Sequence, residues 1–371
     1  MSKKTFRYRL YPTAAQRDVL DGQLRLCCEL YNAALQERRD AWRMARVSVR
    51  FAGQSAQLPA IKVDRPDVAG VYSQVLQDVL HRVDKAFGAF FGRVRRGEKA
   101  GYPRFRGRSR FDSLTYPQLG FAVEGRHLNL SKVGAVKIKL HRPIDGTIKT
   151  LTIKREAGKW FACFSVDVEP APLALSVESI GVDVGLTHFA TLSDGTQIAN
   201  PRHARRAEAQ MRRAQRRIAR RRRGSAGRRE AVRLFQLAQA HVRAQRADAH
   251  HKLSRLLVNR YGLISVEDLN IKGLAGGMLA KSVHDAGWSS FIDKLAYKAE
   301  SAGRILQKVD PRGTSQHCTC GAHVPKTLSQ RWHLCPECGL SAARDHVSAQ
   351  LVDWLGLSLQ DPTWAVAPCV S

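Results

Sequence analysis

The spacing of hydrophobic and polar positions changes along the chain and predicts different elements in turn. Residues 4–10 alternate between apolar and polar side chains, which predicts a strand. Apolar positions then recur at helical spacing from about residue 14 to 46, after Thr13, a residue type that caps helices. A second helical pattern covers about residues 71 to 95. The first third of the chain is therefore one strand followed by a mainly helical region.

Short alternating segments replace the helical pattern from about residue 114 to 168. Residues 135–140, 148–154 and 160–166 each alternate, and turn sequences such as Asp145-Gly146 separate them. Several short strands with turns between them predict a small antiparallel barrel. Pro170 and Pro172 then mark a linker.

A mixed pattern follows this linker. It begins with an apolar strand at 180–186 and a hairpin turn at 193–196, and continues as a long helical region to about residue 261, broken near 224–227. A short apolar strand at 264–266, further helices, one more strand, a cysteine cluster and a last helix complete it. The chain as a whole is predicted to be an α+β protein of several domains.

Three of these apolar elements carry acidic side chains. Asp183 lies inside the 180–186 strand, Glu267 and Asp268 end the next strand, and Asp345 begins the last helix. A buried carboxylate is costly unless its charge is compensated. Carboxylates from two strands and a helix suit a pair of divalent cations, which can hydrolyse a phosphodiester.

Other interpretations exist for each acid. Asp183, beside Gly185, is also typical of a turn, and Asp345 is also typical of a helix cap. Only one of Glu267 and Asp268 can face the site, because side chains alternate along a strand.

Four of the eight cysteines fall in one short window. Cys335-Pro-Glu-Cys338-Gly339 has the spacing of a zinc-binding knuckle, but Cys318 and Cys320 are separated by a single residue. His317 with Cys320 would keep the usual spacing and leave Cys318 free. Clustered cysteines in a reducing compartment indicate a structural Zn²⁺ rather than disulfides.

The charge of the chain points to a polyanionic partner. Lys and Arg number 61 against 32 acids, a formal net charge of +29. A basic membrane-surface protein would need an amphipathic anchor or an apolar span, and the sequence offers neither. The basic start of the chain has no apolar stretch after it, so we expect no signal peptide and a cytoplasmic location.

Arginines concentrate between residues 202 and 233, where there are 14 of them and only two acids. A solvated helix face normally mixes both signs, so this arginine-rich arm is predicted to follow phosphates. A shorter basic loop interleaves arginines with Phe105, Phe111 and Tyr116, which could stack on bases or pack in the core. The predicted phosphate contacts are Arg104, Arg106, Arg212, Arg213, Arg216, Arg217 and Arg220.

Three segments together resemble a known family. Residues 181–190, residues 266–270 and Arg344-Asp345 after the cysteine cluster are similar to the three RuvC motifs of the TnpB family, RNA-guided DNA endonucleases encoded by insertion sequences and related to type V CRISPR effectors. The likeness runs in order along nearly the whole chain. It includes residues 6–12, 103–105, 115–118, 285–288, 297–299 and 314–316.

The resemblance implies a fold and a set of site residues. The fold would be a small antiparallel β-barrel with an inserted helical domain, then an RNase H-like (RuvC) nuclease domain interrupted by a zinc ribbon. Asp183, Glu267 and Asp345 would carry two Mg²⁺ ions. The match at 314–316 would make Cys318 the first zinc ligand, and Gln77 and Thr115 would contact DNA. The implied domains are 1–12 and 114–172 (barrel), 13–113 (helical recognition domain), 173–310 (nuclease), 311–342 (zinc ribbon) and 343–371 (last helix and tail).

The implied partners are a guide RNA from the transposon end and double- and single-stranded target DNA, with no membrane; whether the chain forms a homodimer is left open.

Two departures from the family pattern lie beside the last acid: Ala343, where the family usually has Asp, and Val347, where it usually has Asn. An RNA-guided repressor that has lost cleavage is one alternative, although all three acids are present. A transposase that joins DNA ends is the other, since a fold alone does not fix its reaction.

Overall fold

The computed structural model describes residues 2–327 and 329–360, and its contacts divide the chain into two units, Met1–Glu169 and Pro170–Ser371. The described part of the first unit contains seven strands, five α-helices and one turn of 3₁₀ helix at Arg108–Arg110. Its strands are β1 (Ser2–Tyr11), β2 (Ser113–Tyr116), β3 (Phe121–Glu124), β4 (His127–Leu130), β5 (Gly134–Lys139), β6 (Thr147–Glu156) and β7 (Lys159–Val168). Its helices are α1 (Ala14–Ala45), α2 (Phe51–Ala56), α3 (Leu58–Asp64), α4 (Pro66–Ala69) and α5 (Ser73–Arg95).

The seven strands form one antiparallel sheet in the order β2-β6-β7-β1-β5-β4-β3. The first strand of the chain lies at its centre, where it pairs with β7 and β5, and its alternate residues Phe6, Tyr8 and Leu10 are buried. Tyr116 and Phe121, on the two edge strands, are in edge-to-face contact at 6.4 Å. The sheet is therefore a nearly closed barrel, as the alternating pattern predicts.

The helices pack their apolar faces into the same core. A capping box holds the start of α1, because Thr13 accepts from the Gln16 amide at 3.3 Å and Gln16 accepts from the Thr13 amide at 3.1 Å. The short helices α2 to α4 were not predicted. Each has seven residues or fewer, too short for a helical repeat to show in the sequence.

The second unit is built on a five-stranded sheet in the order β10-β9-β8-β11-β12, with β8, β11 and β12 parallel. A separate hairpin of β13 and β14 holds two of the clustered cysteines, Cys335 and Cys338, between its strands. The strands are β8 (Ser179–Val184), β9 (His188–Leu192), β10 (Gln197–Ala199), β11 (Leu263–Glu267), β12 (Ile305–Val309), β13 (Trp332–Leu334) and β14 (Ser341–Ala343). The helices are α6 (His203–Arg206), α7 (Glu208–Ala219), α8 (Ala226–Arg260), α9 (Ile271–Leu274), α10 (Ala280–Ala286), α11 (Trp288–Ala302) and α12 (Arg344–Gln360).

Two glycines bring helix α12 directly onto this sheet. A Cβ on Gly181 of β8 would lie 2.0 Å from the carbonyl oxygen of Ala349, and one on Gly356 would lie 1.8 Å from Ser265 Oγ on β11. Side chains alternate along a strand, so Gly181 and Asp183 face α12, whereas Ile180 and Val182 join the apolar core formed with α8 and α11. The last helix thus lies on the same face of the sheet as Asp183.

The arginine-rich arm contains the short helix α6, then α7 and the first part of α8, and α7 and α8 are separated at residues 220–225, close to the predicted break. Ser225 caps α8 by accepting from the Arg228 amide at 3.2 Å. No helix among the described residues is long and apolar enough to cross a membrane. The tail predicted after the last helix, with Cys369, lies outside the described residues.

Candidate active site

The register of β8 and β11 brings two of the predicted acids to the same level of the sheet. The strands run parallel with Val182 opposite Val266, so Asp183 and Glu267 are the next residues on adjacent strands. The third acid, Asp345, is the second residue of α12, the helix that lies on this face. Although they are far apart in the sequence, Glu267 and Asp345 lie close enough for their charges to act on Asp183.

Burial and the neighbouring carboxylates shift the pKa of Asp183. Burial, followed by the negative charges of Glu267 and Asp345, raises the pKa of Asp183 well above its ordinary value, and Arg344 acts in the opposite direction. Burial also raises the pKa of Glu267, against a hydrogen bond from Thr314 that lowers it. The fold thus holds like charges together where water compensates them poorly.

Glu267 and the adjacent Asp268 have different surroundings in the structure. Glu267 is only 9% exposed, and Thr314, itself buried, donates from Oγ1 to its Oε1 at 2.5 Å. Asp268 points to solvent, where it pairs with Lys308 at 2.8 Å. Glu267 is therefore the acid that shares the interior with Asp183.

Asp345 lies inside the first turn of α12 rather than at the cap position, because the helix begins at Arg344. The Arg344 guanidinium contacts its carboxylate at 3.2 Å. Both departures from the family pattern lie next to this pair: Ala343 ends β14, opposite Trp332, and Val347 is buried. Neither position contributes a ligand atom here.

The donor set fits a hard divalent cation. Carboxylate oxygens are the ligands that Mg²⁺ takes from proteins, and it usually keeps several waters besides. Three acids held together with one nearby guanidinium leave an excess of negative charge that such cations would compensate.

The four clustered cysteines form a second and tighter group of ligand atoms. Their sulfurs all lie within 4.8 Å of one another, with Cys318 and Cys338 at 3.6 Å and Cys320 and Cys335 at 3.7 Å. A tetrahedral zinc site with bonds of about 2.3 Å places its sulfurs about 3.8 Å apart. The cysteines therefore fit Zn²⁺.

This geometry distinguishes the two ligand sets that the sequence left open. Neither ring nitrogen of His317 belongs to the group of ligand atoms that lie within 4.8 Å of one another, and its Nδ1 lies 2.9 Å from the carbonyl oxygen of Gly313. Cys318, by contrast, is buried among the other sulfurs. The set with Cys318 is the one that the fold assembles.

The predicted arginine contacts of the arm lie on or next to α7. Each of these side chains is exposed: Arg212, Arg213, Arg216, Arg217 and Arg220. Arg212 pairs with Glu208 at 2.8 Å. The opposite face of α7, with Met211, Ala214 and Ile218, is half-buried, which leaves the arginine face to solvent.

In the first unit the predicted contacts differ in their surroundings. Arg104, Arg106 and Gln77 are exposed, whereas Thr115 is half-buried and accepts from Arg82 Nη2 at 2.8 Å. Of the three aromatic residues, Phe111 and Tyr116 are fully buried core residues, and Phe105 is 48% exposed. Core packing is therefore the role of Phe111 and Tyr116, and base stacking is left to Phe105.

The sequence reasoning missed Thr314, which contacts Glu267, and a second, half-buried acid next to Gly181, two residues before Asp183. Thr314 lies in the family-like segment 314–316, which was used only to align the cysteines. Asp353 lies on α12 and accepts from Ser193 Oγ at 3.0 Å, and Ser193 Oγ accepts from the Gly181 amide at 3.1 Å. An acid in the buried part of a helix, eight residues after Asp345, was the available signal for this second contact.

Comparisons with known proteins match most of this chain. Residues 163–277 match a family described as "Probable transposase", residues 288–352 one described as "Cas12f1-like, TNB domain", and residues 1–46 one described as "Helix-turn-helix domain". A Streptomyces pristinaespiralis protein named "Putative RNA-guided DNA endonuclease" is 32% identical over 367 residues, 96% of this chain and 90% of that protein. The chain belongs to the TnpB family.

Other relatives extend the comparison. An Escherichia coli K12 protein named "Putative RNA-guided DNA endonuclease InsQ" is 26% identical over 364 residues, 92% of this TnpB-family chain and 89% of that protein. A solved structure titled "Cryo-EM structure of the Cas12f1-sgRNA-target DNA complex" superposes with a TM-score of 0.59 at 12% identity, over 95% of this chain and 98% of that one. At that identity the likeness concerns the fold. The described part of residues 1–46 is a strand and one long helix.

Proposed function

We propose that this chain is an RNA-guided DNA endonuclease of an insertion sequence. In this proposal a guide RNA pairs with target DNA, and the protein recognises the heteroduplex by its shape and a short flanking motif by side-chain contacts. A RuvC-type site then cuts the DNA. The observation that carries the proposal is the meeting of three carboxylates on one face of the sheet in a chain of formal charge +29 that belongs to the TnpB family.

Each residue of the site has a stated part in this mechanism. Asp183, Glu267 and Asp345 would hold two Mg²⁺ ions, which when bound supply an activated water and stabilise the leaving oxygen. Thr314 fixes one oxygen of Glu267, so that this carboxylate keeps its orientation. Arg344 restrains Asp345 at the start of α12.

The other predicted residues would bind nucleic acid or stabilise the fold. The cysteine cluster would bind a structural Zn²⁺ that takes no part in the reaction, because all four of its positions are filled by protein. The exposed arginines of α7 would contact phosphates of the guide RNA or of the heteroduplex. In the first unit, Gln77 and Arg104 would contact the DNA. Thr115 would contact it only if its hydrogen bond with Arg82 were broken.

The test is reconstitution with the RNA that the protein selects. The full chain is expressed with its flanking DNA, the co-purifying RNA is sequenced, and a plasmid carrying the matching target and a randomised flank is added with Mg²⁺. We expect cutting that needs the RNA, the match and the metal ion. Cutting without RNA would support a transposase or an unguided nuclease, and RNA-dependent binding without cutting would support a repressor.

Salt dependence tests the basic surface independently. Affinity for nucleic acid should fall with a log–log slope of several units between low and physiological salt, because each neutralised phosphate releases counterions. Replacing Arg213, Arg216 and Arg217 by Gln should reduce that slope by about one unit per lost contact. An unchanged slope would remove the arm from the interface.

A further inference from the structure

The hairpin of β13 and β14 has one buried face and one exposed face. His333 is fully buried, whereas its neighbours in β13, Trp332 and Leu334, are 62% and 64% exposed. Side chains alternate along a strand, so Trp332 and Leu334 share the outer face of the hairpin. The hairpin therefore presents two large apolar side chains to solvent.

Trp332 is held in place although it is exposed. Its indole N–H donates to Ser341 Oγ on β14 at 2.8 Å. The residues opposite Trp332 and Leu334 are Ala343 and Ser341, so these two pairs carry no charge on the outer face. Ala343 is the position where the family usually has Asp, which would place an acid beside the ring. In this chain the ring is oriented and has an uncharged, short side chain opposite it.

Trp332 lies close to the carboxylate site along the backbone. The amide of Arg344 donates to the carbonyl of Arg331 at 2.9 Å, which joins the start of α12 to the start of β13. Paired Cα atoms of antiparallel strands are about 5 Å apart and two further residues add at most about 7 Å, so the Cα atoms of Trp332 and Asp345 lie within about 12 Å. A strand of nucleic acid advances about 3.4 Å or more per nucleotide, so this separation corresponds to at most about four nucleotides.

The charge around the ring suits a polyanion. Arg331, which precedes Trp332, is exposed, and residues 331–343 contain a single acid, Glu337, in the zinc-binding knuckle. Nucleic acids bind where bases can stack on aromatic side chains beside basic groups that contact the backbone. A second copy of the chain would bring a further formal charge of +29 to the same surface. Charge therefore favours nucleic acid over self-association at this face.

We propose that Trp332 stacks on one base of the unpaired strand of the target DNA, within about four nucleotides of the bond that is cut at the carboxylates. Stacking on a protein ring requires an unpaired base, and pairing of the guide with one DNA strand leaves the other strand unpaired. The contact holds the strand in the site without recognising its sequence, because every base has a π-face. The inference rests on the proposed function and adds a DNA-positioning residue to the three carboxylates.

The first test leaves the protein unchanged and uses the full chain with its co-purifying RNA. The cut positions are mapped by sequencing the products, and target DNA is then made with 5-iodouracil at single positions of the unpaired strand around the cut. Complexes are formed with Ca²⁺ in place of Mg²⁺ and irradiated, which crosslinks the iodinated base to an aromatic ring in contact with it. Trypsin releases Trp332 in the peptide 332–344, because Arg331 and Arg344 border it.

We expect peptide 332–344 to be crosslinked from one or two DNA positions within about four nucleotides of the cut. No crosslink to this peptide from any position in that span, in a complex that cuts with Mg²⁺, would overturn the inference. So would a crosslink that forms only from iodinated guide RNA. A wild type that neither binds nor cuts target DNA with its RNA would instead contradict the proposed function.

Three variants measure what the contact contributes. Trp332→Leu removes the ring, Trp332→Phe keeps an aromatic ring, and Trp42→Leu makes the same change at a tryptophan of the first unit that is 53% exposed. We expect Trp332→Leu to cut about tenfold more slowly in single-turnover reactions, the loss typical of one base contact, while base pairing keeps guided binding unchanged. Trp332→Phe should recover most of the rate, and Trp42→Leu should match the wild type.

Zinc content and melting temperature show whether a slow variant is folded. Both should stay at the wild-type value in Trp332→Leu, because most of the side chain lies outside the core. If Trp332→Leu loses zinc, the crosslink decides the question alone. A wild-type cutting rate in folded Trp332→Leu, or an equal loss in Trp332→Phe, would overturn the inference. So would a wild-type dimer that Trp332→Leu converts to a monomer in sedimentation, since the ring would then belong to a contact between two copies.

Discussion

The cysteine cluster and the carboxylate cluster of the second unit are both sets of metal ligands, and they are built in opposite ways. The four cysteines lie within 21 residues of sequence, and their sulfurs are all within 4.8 Å of one another. The three acids come from β8, β11 and α12, and packing of those elements alone brings them together.

The difference follows from what each cluster would do. Four thiolates can fill every position of one tetrahedral ion, which suits a structural site. Three carboxylates cannot fill the coordination of two hard cations, so positions are left for water and a phosphate. The first cluster is local and closed, whereas the second depends on the tertiary structure and is open.

The largest expected effect tests the open cluster. Asp183→Ala should lower the DNA-cutting rate at least about 10³-fold, because the metal ions are asked to supply several kcal/mol of transition-state stabilisation. Guided binding, measured by filter retention, should be unchanged. Asp268→Ala removes a neighbouring exposed acid and should cut normally; a comparable loss in that control would show that the site had been assigned to the wrong residues.

The next effect tests the closed cluster. Cys318→Ser should lose most of its zinc by elemental analysis and should unfold at a lower temperature, because structural zinc contributes folding energy. His317→Ala should keep its full zinc content, since neither ring nitrogen of His317 belongs to the group of ligand atoms that the four sulfurs form. Stoichiometric zinc in Cys318→Ser would exclude the ligand set that the fold assembles.

Thr314 joins the two clusters, since it contacts Glu267 and lies four residues before Cys318. Thr314→Val should slow cutting about tenfold or more and raise the Mg²⁺ concentration needed for half the maximal rate, because a hydrogen bond to a charged group is lost. Thr314→Ser keeps the hydroxyl and should be close to wild type. Zinc content should stay complete in both; if Thr314→Val lost zinc, its effect would belong to the ribbon.

The smallest effect concerns stability. A carboxyl whose folded-state pKa is raised costs folding free energy at every pH above its unfolded value. Asp183→Asn should therefore raise the melting temperature of the zinc-loaded, Mg²⁺-free protein at neutral pH by a few degrees. Added Mg²⁺ should stabilise the wild type more than this variant. A melting temperature unchanged by Asp183→Asn would mean that its charge is better compensated than its burial indicates.

The sequence by itself determined the elements whose signal is local. Alternation over residues 4–10 and 114–168 predicted the strands of the barrel, Thr13 predicted the start of α1, and the knuckle at Cys335 and Cys338 predicted a cysteine ligand group. The family-like segments supplied the three acids as candidates. Each of these depends on residues that lie close together along the chain.

Only the tertiary structure decided the choices that depend on which face of an element is packed. Alternation allowed one of Glu267 and Asp268 to face inward, and contact of α12 with β8 and β11 made it Glu267. The partner of that carboxylate, Thr314, is 47 residues away. Burial likewise assigned Phe111 to the core. The sequence pattern predicts which side chains point into the core. The residues that they contact there belong to elements distant in sequence.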